Sequence, residues 1–103
     1  MQAHTPYTLK NLLTYEEGTV NKKVLLKNEK SLTILFALGK DALLEEHTAP
    51  GDALVLVLEG EALFTIEGKD VSLEEGESLL LEKGVLHAVR AKKPMVFLIT
   101  IAK

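Results

Sequence analysis

The chain has 103 residues, 47% of them apolar, and a formal net charge of −3. This length holds one domain with its own core, and this apolar fraction excludes a disordered segment. The acidic balance excludes a basic nucleic-acid footprint, the lack of cysteine excludes disulfides and thiolate chemistry, and no apolar run is long enough to span a membrane. In chain order, Met1 to Pro6 is small and polar, and Leu9, Leu12 and Leu13 recur at helical spacing within Tyr7 to Tyr15. That segment reads as a helical turn or an irregular edge. Thr19 to Lys27 reads as a strand, closed by the polar turn Asn28-Glu29-Lys30. Ser31 to Leu38 (SLTILFAL) is β-prone and nearly all apolar, which predicts a strand buried on both faces.

Gly39-Lys40-Asp41 breaks that run, and Leu43 to Thr48 follows as a short strand carrying His47. Pro50-Gly51-Asp52 is a turn signal. Ala53 to Glu59 and Ala62 to Glu67 form the next strand pair, across Gly60-Glu61. Val71 to Leu73, Ser78 to Leu81 and Val85 to Ala91 follow between glycine-bearing turns, the last of them carrying His87. Met95 to Ile101 closes the chain. About nine short strands, with turn signals roughly every 8–12 residues, predict an all-β sandwich or barrel.

Strand alternation places Leu43, Glu45 and His47 on one face and Leu44, Glu46 and Thr48 on the other. A carboxylate beside an imidazole on a buried face is the first candidate site. His4 lies in the polar N-terminus and carries no expected role. Lys22-Lys23 and Lys92-Lys93 read as solvated surface, and Arg90 as outward facing. Residues Phe36, Leu43, Val57, Phe64 and Val89 are the expected apolar lining of any pocket. No phosphate loop, nucleophile elbow or Ser/His/Asp arrangement is present. With no secretory signal, a soluble protein of the cytoplasm is expected.

The spacing of these residues resembles that of the small single-domain cupins, whose two motifs read G-x5-H-x-H-x3,4-E-x6-G and G-x5-P-x-G-x2-H-x3-N. Gly39, Glu45, His47 and Gly60 follow the first; Gly76, Glu82, Gly84, His87 and Ala91 follow the second. The departures are specific. Glu45 stands where the family has its first histidine, Asp52 or Ala53 where it has its glutamate, Glu82 for the proline and Ala91 for the asparagine. The resemblance implies an all-β cupin-type jelly-roll barrel (a double-stranded β-helix) as one domain over residues 1–103. Its barrel core would span about 31–101, and residues 1–30 would form an edge strand or dimer arm.

The resemblance also implies a homodimer and a mononuclear metal site in the barrel, with Glu45, His47 and His87 as ligands to iron, zinc, manganese or nickel. Three readings stay open. The first is an enzyme that uses such a metal on a small molecule. The second is a metal-free barrel, its two imidazoles hydrogen-bonded to Glu45 or to each other, that binds a sugar or organic acid as a sensor or carrier. The third is a stable barrel that acts through its subunit interfaces. A small-molecule ligand is the expected partner; nucleic acid and membrane are not.

Overall fold

The computed structural model describes Met1–Lys103 and consists of nine strands and one short 3-10 turn at Leu9–Asn11. The strands are β1 (Val20–Lys27), β2 (Ser31–Leu38), β3 (Leu43–His47), β4 (Asp52–Glu59) and β5 (Glu61–Ile66). They continue with β6 (Lys69–Glu74), β7 (Ser78–Leu81), β8 (His87–Ala91) and β9 (Met95–Ala102). Two antiparallel sheets face each other, ordered β1-β2-β9-β4-β7 and β3-β8-β5-β6. Apart from the β1–β2 and β5–β6 hairpins, consecutive strands cross between the sheets, which makes a jelly roll. No helix is long and apolar enough to cross a membrane.

Alternation builds the core. Along β4, Ala53, Val55 and Val57 are buried while Asp52 and Leu54 are exposed. Phe97 of β9 occupies the centre, stacked on Phe36 at 4.9 Å and edge-on to Phe64 at 5.8 Å. Such offset and edge-on pairs add roughly 0.5–1.5 kcal/mol beyond the area they bury. Between β5 and β6 the chain reverses through Glu67 and Gly68, with φ of 48° and 82°. Two successive positive φ angles are the signature of the tight hairpin turn whose twist matches the flanking strands.

β2 is buried on both faces, for two different reasons. Phe36 and Leu38 face the core, while Leu35 and Ala37 lie under Leu9, Leu12 and Leu13 on the outside. The leucines of the N-terminal segment therefore lie on the molecule's own sheet. The single 3-10 turn spans Leu9–Asn11 and is capped at Leu12, so the helical spacing does not lengthen into an α-helix. β1 is the edge of the five-stranded sheet, paired with β2 through a register irregularity between Val24 and Leu26.

Candidate functional site

The site is set by one local event in β3. That strand pairs with β8 as Leu43↔Arg90, Leu44↔Val89 and His47↔His87, with a register shift between Leu44 and His47. Two residues, Glu45 and Glu46, therefore oppose the single residue Ala88, which is a β-bulge. Strict alternation from Leu44 would turn Glu46 into the apolar interior. The inserted residue keeps both carboxylates in water, where an unpaired charge costs nothing, and brings His47 inward beside Leu44.

The expected grouping of Glu45 with His47 thus does not form. Glu45 and Glu46 line a groove on the outer face of the four-stranded sheet, with Leu43, Asp70 and Arg90. Leu43, expected among pocket residues, lies there too, and Val57, Phe64 and Val89 are in the closed core. Of the expected apolar lining only Phe36 reaches the cavity between the sheets that His47 and His87 also line. Arg90 does face outward, as alternation along β8 requires.

The two histidines do meet. Their ring centroids are 4.2 Å apart at an interplanar angle of 62°. Nδ1 of His47 lies 2.8 Å from the Glu45 carbonyl oxygen, and Nδ1 of His87 lies 3.1 Å from that of Val85. A carbonyl only accepts, so in each neutral ring Nδ1 carries the proton and Nε2 keeps its lone pair. Glu45 therefore contributes to the site through its main chain, orienting His47. No buried side-chain nitrogen or oxygen lacks a partner. His87, only 2% exposed, makes no side-chain bond through Nε2, so that atom opens to the cavity. Burial pushes the His87 pKa down from its ordinary 6.5; the Val85 carbonyl opposes this, and the charge of His47 adds to it.

The cavity lies between the sheets and measures about 370 Å³. Its apolar wall is built from Val20, Ile34, Phe36, Leu44, Ile99 and Ile101; Lys22, Thr48, His47 and His87 supply the polar side chains. Lys22 enters because it pairs directly with Phe36 across β1 and β2, and paired residues share a face. Lys22 is exposed, as the sequence implies, and it also lines the cavity, a placement that depends on a hairpin register adjacent lysines do not announce. The loop Thr48–Gly51 forms the rim and is held by the Gly84 N–H donating to the Ala49 carbonyl at 3.2 Å. A Cβ on Gly51 would lie 1.8 Å from the Ala102 carbonyl oxygen, so only glycine lets this rim close over the end of β9.

The two positions that match the family's glutamate bring no carboxylate here. Ala53 is 1% exposed in the core, and Asp52 is exposed, accepting the Lys83 N–H at 2.8 Å. No group of three or more His, Cys, Asp or Glu side chains surrounds a point where a metal could sit. Two imidazole nitrogens fall short of the three or four protein ligands that zinc or non-haem iron sites use, so the donor set does not fit the mononuclear metal centre expected from the motifs.

Comparison with known proteins places the fold. The cupin-domain family model matches residues 34–101. A conserved protein of unknown function from Streptococcus pyogenes is 24% identical and superposes with a TM-score of 0.92, over 100% of this chain and 90% of that one. A cupin superfamily protein from Desulfitobacterium hafniense is also 24% identical, with a TM-score of 0.91 over 99% and 94% of the two chains. A cupin 2 conserved barrel domain protein from Leptotrichia buccalis is 32% identical, with a TM-score of 0.90, over 94% of this chain and 47% of that one. No curated protein sequence matches. With two thirds of its length matched by the family model and its strands wound as a jelly roll, this chain belongs to the cupin family.

Proposed function

We propose that this cupin binds a small organic molecule in the cavity between its sheets, with His47 and His87 as the polar anchor and no metal-dependent step. One observation carries the reading. Two imidazoles, each fixed at Nδ1 by a backbone carbonyl, keep their Nε2 lone pairs free beside a mainly apolar chamber of about 370 Å³. Pockets that hold small ligands have this composition and a volume in the range of roughly 300–1,000 Å³. Neither Nε2 is spent on a protein partner, so both can take up a ligand group.

Thermal unfolding against a panel of sugars and small organic acids tests the reading. A ligand at about 100 times its Kd stabilises by about 2.7 kcal/mol, which raises the Tm of a domain this size by roughly 11–22 °C. The shift is expected to shrink in His47→Ala and in His87→Gln. A panel that leaves the Tm unmoved, or a shift that survives both substitutions, would overturn the proposal.

We also propose a homodimer through the outer face of the five-stranded sheet. One register row crosses that face as Leu80, Leu54, Thr100, Thr33 and Leu26. Leu80, Leu54 and Leu26 are 67%, 51% and 56% exposed. Apolar side chains aligned in this way mark an association surface. Sedimentation at micromolar concentration should give twice the monomer mass, and Leu80→Lys with Leu54→Lys should give the monomer. A wild-type monomer would remove the proposal.

A further inference from the structure

Resting on the ligand-binding reading above, we infer that the occupant of this cavity is a weak organic acid with an apolar body, held through one proton shared between its carboxylate and the histidine pair. The chain carries 15 acidic and 12 basic residues, yet no Asp or Glu lines the cavity. The charged and titratable groups facing the histidines are Lys22 from β1 and each other, His47 from β3 and His87 from β8. β2, β9 and the rim loop contribute none, and Glu45 and Glu46 lie across the sheet on the outer groove. In an acidic protein this is a local region without negative charge, so it disfavours a cation and favours an anion beside Lys22.

The hydrogen-bonding inventory narrows the class. Outside the rings, the only side chains in the lining with polar atoms are Lys22 and Thr48. A sugar would bring several hydroxyls into a chamber with no carboxylate or carboxamide side chain to meet them, and each one buried unpaired costs about 1–3 kcal/mol. An acid asks less. With Nδ1 committed to the carbonyls, each Nε2 is an acceptor, and so is a carboxylate oxygen. They attract only when one proton lies between them. An anion entering from neutral solution therefore takes up one proton, and the resulting N–H···O contact is a charge-assisted bond. The apolar wall of Val20, Ile34, Phe36, Leu44, Ile99 and Ile101 receives the rest of the molecule.

Isothermal titration with phenylacetate and hexanoate, against phenylacetamide, hexanamide and glucose, tests this class. The acids should bind about tenfold or more tightly than their amides, a difference of about 1.4 kcal/mol or more. Titration in buffers of different ionisation enthalpy should show about one proton taken up per acid bound near pH 7.5. Lys22→Met, at an exposed edge position, should weaken the acids about fivefold and the amides clearly less. Amides or glucose binding as tightly as the acids, with loss in His47→Ala, would overturn the acid assignment and keep the ligand site. Acid binding without proton uptake, or unaffected by Lys22→Met, would also overturn it. Failure of every probe to bind would take the ligand-site reading down as well.

Discussion

Acidification should weaken this protein through His87. The ring is 2% exposed, and its pKa is held below the ordinary 6.5 by burial and by the charge of His47. In the unfolded chain it returns to about 6.5. Between that value and the lower folded one, the unfolded state binds more protons than the native state. Stability therefore rises with pH across this window and is lost as pH falls through it. One proton sets a limiting slope of about 1.4 kcal/mol per pH unit. Solvent reaching the ring from the cavity mouth keeps the slope below this limit. For a domain of this size the limit corresponds to roughly 6–11 °C in Tm per pH unit.

Urea unfolding of wild type and His87→Gln, at steps between about pH 7.5 and pH 5.5, measures the effect. The stability difference between the two should shrink in wild type's disfavour as pH drops below about 6.5. His47→Gln removes the neighbouring charge and should flatten the wild-type slope. A difference that stays constant over this range would show that His87 titrates alike in both states, and the burial argument would fail.

Three other outcomes are expected. Glu45→Ala should leave ligand affinity within about twofold and stability within about 0.5 kcal/mol, since its carboxylate lines the outer groove; a tenfold loss in titration would place that carboxylate at the site. Gly51→Ala should cost about 1–3 kcal/mol, because the new Cβ meets the Ala102 carbonyl rather than a movable side chain; an unchanged Tm would show that the rim gives way freely. Protein purified without a histidine tag should hold far less than one equivalent of transition metal by elemental analysis, with a Tm indifferent to chelator. Stoichiometric metal lost in His47→Ala would mean that solvent or ligand completes a centre the side chains alone do not form.

Much of the fold was legible because its signals are local. Apolar runs such as Ser31–Leu38 and Met95–Ala102, cut by glycine-bearing turns, mark strands wherever they occur. The meeting of His47 and His87 was legible only through the joint spacing of two distant motifs, since nothing local to either strand implies the other. Glu45 was misplaced because period-two reasoning has no term for a bulge. One extra residue opposite Ala88 moves every later side chain of β3 to the other face. The exposure of Lys22 was legible but its place beside the cavity was not: its face depends on which residue of β2 it pairs with, and that follows from a hairpin register that itself shifts at Leu25.

Long-range proton–nitrogen correlation spectra of protein labelled with ¹⁵N-histidine address the site itself. The chain has three histidines, so three ring patterns are expected, and His4 in the exposed N-terminus serves as an internal reference. Without ligand, His47 and His87 should both show the tautomer protonated at Nδ1, as their carbonyl partners require. Adding a ligand identified by thermal shift should move Nε2 of both rings in step with saturation and leave His4 in place. Rings protonated at Nε2 in the free protein, or ligand saturation that leaves both His47 and His87 unmoved, would contradict the assignment of this cavity as the binding site.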